Sequence, residues 1–361
     1  MGSESIMENE RRRAAARGKF FGTRPSAVSL SAESLVRTSL LGGGPLPLVV
    51  EPADEHVDLL AWVEGRREFL DESLREHGGL LFRGFGVDSP EKFDGFVNAF
   101  SSRLMGYLDQ HTPRTRVSQN VYTSTEYPAD HHVPFHSENS KNHVWPLLLW
   151  FCCVHPAERG GETPVADNRR VYELVDPEVR APFEQKGVMY VRNFGEGVGR
   201  SWQTAFQTES RAEVEGYFRE AGVEFEWKGG DRLRTRHVCQ GVARHPQTGA
   251  PLWFNQAHLF HVSSLAEAAR ESLLSMFREE DLPSNAYYGD GSPIEPAALA
   301  AVRAAFARAE VVFPWERGDV LMLDNMRVAH GRRPYAGARK ILVAMAEPWG
   351  AVETAAAGGL R

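Results

Sequence analysis

With 361 residues, of which 42% are hydrophobic and 25% charged, the chain is long and apolar enough to bury a large core, which excludes general disorder and a disulfide-scaffolded miniprotein. A formal net charge of −7 argues against nucleic acid as the main partner, since such binders carry a basic face. Three cysteines, with Cys152 and Cys153 adjacent and Cys239 far away, fit neither a disulfide framework nor a thiolate metal site, and no apolar run approaches membrane-spanning length, so a cytoplasmic protein without membrane attachment is expected.

Taken in chain order, residues 1–49 are polar, small or Gly/Pro-bearing, with Gly42-Gly43-Gly44-Pro45 as the clearest breaker, and predict a partly flexible arm. His56 to His77 carries Val57, Leu60, Val63, Phe69, Leu70 and Leu74 at helical spacing and stops at Gly78-Gly79. A buried strand is expected at Leu80-Leu81-Phe82-Arg83, followed by a helix from Pro90 to Phe100 with Phe93, Phe96 and Phe100 on one face. Beyond Asp130 the texture changes to short β-rich segments bounded by Gly, Pro and Asn, and Leu147 to Val154 is an apolar run suited to a strand buried on both faces. Further strands are predicted at Gly187 to Asn193, His237 to His245, Leu252 to Phe254, Val311 to Phe313, Asp319 to Leu323 and Arg339 to Ala346. Helices interrupt them at Glu209 to Glu220, Ser264 to Glu280 and the alanine-rich Pro296 to Ala309. Many strands without regular βαβ alternation predict a mainly β fold with peripheral helices (α+β), a sandwich or barrel. One elaborated domain over residues 50–350 and a flexible tail over 351–361 complete the expected organisation.

The chemistry centres on Phe135-His136-Ser137-Glu138-Asn139. In an extended backbone, residues two apart project to one face, so His136 and Glu138 can present an imidazole and a carboxylate to the same ion. His-X-Glu is common by chance, and the pattern gains weight from Gly318 to Asn325, a strand ending in turn residues that leads to Val328-Ala329-His330-Gly331-Arg332. A hairpin there could return His330 to the pair. Two imidazoles and one carboxylate on one side of a metal form the facial triad of non-haem iron(II) oxygenases, which leaves positions open for a cosubstrate and oxygen. His131, His132, His143, His155, His258 and His261 read as surface or hydrogen-bonded residues, although the last two share a helical spacing that could support a second metal site. Arg332 and Arg333 could be solvated turn residues, a role that only the three-dimensional arrangement decides.

Several motifs in register make the chain resemble the taurine dioxygenase superfamily: Gly160-Gly161-Glu162-Thr163-Pro164-Val165-Ala166-Asp167, Ser201-Trp202-Gln203-Thr204, Trp253-Phe254-Asn255-Gln256, Asp324-Asn325 and His330-Gly331-Arg332-Arg333-Pro334-Tyr335, besides the three metal candidates. The resemblance runs from about Leu80 to Met345. Glutamate at position 138 places it with the clavaminate synthase-like enzymes and the amino-acid hydroxylases of nonribosomal peptide pathways, where taurine dioxygenase itself uses aspartate. It implies a double-stranded β-helix, or jelly roll, with iron(II) near one mouth, 2-oxoglutarate as cosubstrate and O2 as oxidant. The far carboxylate of 2-oxoglutarate would sit on a guanidinium, for which Arg339 is the candidate and Lys340 the neighbouring rival, with the Thr163 hydroxyl helping and Gly160-Gly161 permitting close approach. Arg192 and Asn255 fall where this fold tends to cover the iron, and are the candidates for binding a substrate carboxylate or amine.

The implied activity is oxidation, foremost hydroxylation, of an amino acid or amino-acid-derived substrate, either free or on an aminoacyl carrier protein. Desaturation and cyclisation use the same chemistry. Glu138 argues against halogenation, which needs the carboxylate's coordination position for halide. An acidic carrier would need a basic patch, for which Arg192, Arg232, Arg234 and Arg236 are candidates. Two readings from other classes remain: a non-oxidative metal-dependent hydrolase or isomerase, and a ligand-binding jelly-roll module.

Overall fold

The structure, a computed structural model, describes residues 35–41, 44–106, 115–118, 121–124, 127–195 and 199–350. Its strands in chain order are β1 (Val36–Leu40), β2 (Leu48–Pro52), β3 (Gly79–Phe82), β4 (Leu104–Met105), β5 (Tyr122–Thr123), β6 (Val133–His136) and β7 (Val144–His155). There follow β8 (Arg159–Gly160), β9 (Val165–Asp167), β10 (Val188–Phe194), β11 (Glu224–Lys228), β12 (Arg232–Cys239), β13 (Val242–Arg244) and β14 (Pro251–Trp253). The last are β15 (Ser284–Tyr288), β16 (Glu310–Val311), β17 (Val320–Asp324), β18 (Val328–Arg332), β19 (Tyr335–Ala336) and β20 (Lys340–Gly350). A large sheet runs β1-β2-β3-β17-β7-β20-β4, with β5 also pairing β20; a smaller sheet runs β16-β9-β18-β6. A third, β11-β12-β10-β15, lies in the part of the chain that carries the helical inserts.

Alternation along β7 explains how the layers stack. Leu149, Phe151 and Cys153 face inward with Leu321, Leu323, Ile341 and Val343 of the large sheet, and Val165 and Val328 of the smaller sheet share that cluster. The two sheets therefore face each other across it. Trp150 points the other way, 6.0 Å from the Phe100 ring, and Phe82, Phe96 and Phe100 stack there under the helix Pro90–Phe100. Each fully buried ring of this kind contributes about 1.5–3 kcal/mol of burial, so the predicted aromatic face of that helix is what fixes it to the sheet. On the far side of the smaller sheet, Phe135, Ala166 and Ala329 pack with Leu299, Val302 and Phe306 of the helix Pro296–Ala309. The result is an α+β arrangement of facing sheets with helices outside, in which helices take nearly as much of the chain as strands and not the minor share expected.

Several boundaries differ from expectation for local reasons. The helix expected from His56 to His77 is two, Leu59–Glu64 and Arg67–His77, because Gly65 caps the first; the second ends as predicted at Gly78, in the left-handed region. The strand expected from His237 to His245 is broken after Cys239: Gly241 passes so close to the Phe183 carbonyl that a Cβ there would lie 2.3 Å away. Helices Asn168–Leu174 and Pro177–Lys186 went unpredicted although Asp167 and Asp176 cap them and Pro177 occupies the first turn. Within the segment expected as an arm, Val36–Leu40 pairs with Leu48–Pro52 at the edge of the large sheet. Residues 1–34 and the tail at 351–361 lie outside the described residues. No helix of the described residues is long and apolar enough to cross a membrane.

Candidate metal centre

Antiparallel pairing sets His330 of β18 opposite His136 of β6, and residues so paired project to the same face. That face is the inner one. Their chain neighbours Phe135 and Ala329 pack outward under the helix Pro296–Ala309, so alternation turns both imidazoles into the space between the sheets. The two ring centroids lie 4.3 Å apart, and Phe151 reaches across from β7 to within 4.9 Å of the His330 ring. His136 Nδ1 is 2.9 Å from the Pro134 carbonyl; the tautomer that donates there leaves the Nε2 lone pair for a metal.

Glu138 joins them by a different route from the one its spacing suggests. β6 ends at His136, residues 138–141 form a turn, and Asn139 adopts φ 58°, so the carboxylate arrives from a turn and not from the same face of a strand. Ligand atoms of His136, Glu138 and His330 all lie within 4.8 Å of one another. Among the described residues no other group of three or more His, Cys, Asp or Glu converges in this way.

The hairpin expected to deliver His330 is also replaced. β17 lies between β3 and β7 in the large sheet, whereas β18 lies between β9 and β6 in the smaller one, so the chain crosses from sheet to sheet at residues 325–327. Asp324 shapes this corner: Oδ1 accepts from the Met326 and Arg327 N–H groups, both at 3.0 Å, and Oδ2 lies 2.7 Å from His245 Nε2.

The other histidines have local duties. His131 is exposed against Asp130, and His261 Nδ1 contacts Ser263 Oγ. Buried His258 places Nε2 2.9 Å from the Phe135 carbonyl, and burial pushes its pKa down to about 4, so it stays neutral. No second metal site forms there.

The imidazoles open onto about 350 Å³ of empty space, continuous with solvent, whose walls include Ser124, Phe151, Thr163, Arg332 and Arg339. Arg339 donates from Nε to the Gly161 carbonyl at 2.9 Å and from one terminal nitrogen to Ser124 Oγ at 3.3 Å, with no carboxylate of the described residues as partner. Burial, with neighbouring Arg332, pushes its pKa down to about 10, which leaves it charged at neutral pH. Arg339 is half-buried, and the Glu162 carboxylate acts on it only through space, so this wall favours an anionic ligand. Thr163, 2% exposed, accepts from Trp315 Nε1 at 3.1 Å, which leaves its hydroxyl hydrogen to donate elsewhere. Lys340 is exposed and is not part of this wall.

Arg332, whose role the sequence left open, is not a solvated turn residue. Buried on β18, it donates to the carbonyls of Tyr127, Pro128 and His131 and so braces the segment that leads into β6. Neither Arg192 nor Asn255 lines the cavity. Arg192 stacks over the Phe194 ring at 4.5 Å; Asn255 is buried, donates to the Gly241 carbonyl and accepts from the Ala257 N–H. In the sequence Asn325 and Gln256 stand out only as motif residues, and nothing singles out Ser124. The Asp-Asn pair after an apolar strand was the available signal for Asn325.

The profile of the family described as "Taurine catabolism dioxygenase TauD, TfdA family" matches residues 44–345. The chain belongs to that family. It is therefore an iron(II)- and 2-oxoglutarate-dependent dioxygenase. It is 43% identical over 279 residues to the dapdiamide synthesis protein DdaC of Enterobacter agglomerans, covering 77% of this chain and 85% of that protein. It is 29% identical over 319 residues to a clavaminate synthase-like protein of Arabidopsis thaliana, covering 83% and 93% respectively, which agrees with the branch suggested by Glu138. Among solved structures, PvcB of Pseudomonas aeruginosa matches with a TM-score of 0.53 at 17% identity, covering 90% of this chain and 95% of that one, a likeness of fold alone.

Proposed function

We propose that this dioxygenase holds iron(II) on His136, Glu138 and His330 and oxidises, foremost by hydroxylation, an amino-acid-derived substrate of specialised metabolism. The observation that carries the reading is the convergence of two imidazoles and a carboxylate within 4.8 Å. Hard and borderline donors in a three-ligand, one-sided set suit iron(II) and leave room for a bidentate cosubstrate. The similarity to a dapdiamide synthesis protein supports the substrate class. The paired crossings between facing sheets support a double-stranded β-helix as the frame.

Bound iron with 2-oxoglutarate and O2 supplies the oxidising power. The chain's own residues supply position and charge. Arg339 and Thr163 would hold the far carboxylate of 2-oxoglutarate, and Phe151 gives the site an apolar wall beside His330. Arg192 and Asn255, which do not line this cavity, supply no group to it. If the substrate rides on a carrier, Arg232 is the exposed member of the basic patch and Arg192 and Arg236 are half-buried, whereas Arg234 is buried and bonded to Asn193 and Asp281.

Incubation with iron(II), 2-oxoglutarate and air against free and carrier-tethered amino acids should yield succinate and a product heavier by one oxygen. A product lighter by two hydrogens would reassign the outcome to desaturation or cyclisation. No succinate with any substrate would favour the hydrolase or binding-module alternatives.

Gly161 supplies a narrower test of the anchor. At φ +75° it packs on Arg339, and an added Cβ would sit 3.0 Å from Arg339 Cδ and Nε. Gly161→Ala is expected to raise KM for 2-oxoglutarate by roughly tenfold, ~1.4 kcal/mol, with a smaller change in kcat. Steady-state kinetics with varied 2-oxoglutarate will check it; an unchanged KM would mean that the guanidinium does not depend on this contact.

A further inference from the structure

We infer that Asn325 is a positioning residue that aims the carboxylate ligand of the metal centre, an inference that rests on the metal assignment proposed above. The chain passes between the facing sheets twice beside the site. One passage, residues 137–143 from β6 to β7, carries Glu138; the other, residues 325–327 from β17 to β18, leads to His330. Asn325 is fully buried, and its single amide ties the passages together. Oδ1 accepts from the Glu138 N–H at 2.7 Å, and Nδ2 donates to the Glu138 carbonyl and to the Pro146 carbonyl, each at 2.9 Å. Both backbone groups of the proposed ligand therefore end on one side chain 187 positions away.

Glu138 needs such a partner because it lies in a turn. No strand ladder can satisfy its peptide groups, and the left-handed backbone at Asn139 carries the chain away from β6 at once. A carboxylate is held only as firmly as the peptide that bears it. The amide is itself fixed, since neighbouring Asp324 is committed to the Met326 and Arg327 N–H groups and to His245. Other amides grip the same turn but leave Glu138 untouched. Gln256 Nε2 donates to the Ser137 carbonyl at 2.7 Å and to Ser140 Oγ at 3.0 Å, and Asn168 Nδ2 donates to Ser137 Oγ at 2.9 Å. This turn thus contains its own contrast between aiming the ligand and merely satisfying buried backbone.

Cobalt(II) in place of iron(II), without substrate, gives a readout independent of turnover. Affinity and the visible d–d spectrum at saturating metal are compared for the wild type, Asn325→Asp, Asn325→Ser and Gln256→Ala, with folding followed by thermal melting. Aspartate keeps an acceptor for the Glu138 N–H but sets an acceptor against two carbonyls; serine keeps at most one of the bonds. Both Asn325 variants are expected to weaken cobalt(II) binding by about 10- to 100-fold and to change the saturated spectrum. Gln256→Ala is expected to melt earlier with a wild-type spectrum. Wild-type affinity and spectrum in folded Asn325→Ser would overturn the inference, as would an equal spectral change in Gln256→Ala, because any loosening of the turn would then suffice. Wild-type protein that fails to bind cobalt(II), or binds it equally after His136→Ala, would sink the metal centre itself.

Discussion

Replacing His330 by alanine is expected to abolish stoichiometric iron(II) binding and to lower succinate formation by more than about 10³-fold, ~4 kcal/mol of lost transition-state stabilisation. The size of the effect follows from the donor set. Three protein ligands on one side are few to begin with, and losing an imidazole leaves a labile divalent ion far more open to displacement by water. His330 is the residue to change first because its place depends on a strand crossing between sheets. The buried imidazole also packs on Phe151, so its removal lowers stability. His330→Gln, which refills most of the volume, separates that loss from lost ligation. Iron content per folded chain is the measurement, and a wild-type stoichiometry in either variant would remove His330 from the centre. His136→Ala should behave like His330→Ala, since the paired rings face the same space.

Arg339→Ala should raise KM for 2-oxoglutarate by about 100-fold, in line with roughly 2–3 kcal/mol for a charge-assisted bond to a carboxylate in a sheltered site, while kcat falls less. Arg339→Lys should fall between, because an ammonium keeps the charge but not the planar fork. Lys340→Ala should leave KM where it was, since Lys340 is exposed and lies outside the cavity wall. The charge has a pH signature. With burial holding Arg339 down to about 10, the guanidinium is protonated throughout the neutral range, so 2-oxoglutarate affinity should stay flat there and decline only as pH rises through about 10. A KM for Arg339→Ala within threefold of wild type, or a large shift in Lys340→Ala, would reassign the anchor.

Much of the architecture was legible because side-chain periodicity is a local property. The helices Pro90–Phe100 and Pro296–Ala309 fall where their apolar spacing and proline starts put them, and the strand through Leu147 is the apolar run extended at both ends. Local reading failed where a distant group decided the conformation. Gly241 breaks a strand because the Phe183 carbonyl occupies the space of a Cβ, and Arg332 is drawn inward by three carbonyls of a segment about 200 residues earlier.

The metal candidates show the same division. His136, Glu138 and His330 were visible in the sequence as residue types able to ligate iron, and the chain brings them together, yet not by the two-residue alternation or the hairpin that first suggested them. Composition and local pattern were enough to pick out the donor residues, the family motifs around them and the neighbouring strands β7 and β17, but not β6, β9 or β18. That Glu138 reaches the imidazoles from a turn, and that His330 crosses between sheets to meet them, follows from long-range contacts alone. These positions are set by bonds between Asn325 and Glu138, by the register of β18 against β6 and by the packing of two sheets, all of which join residues too far apart in the chain for any local pattern to record.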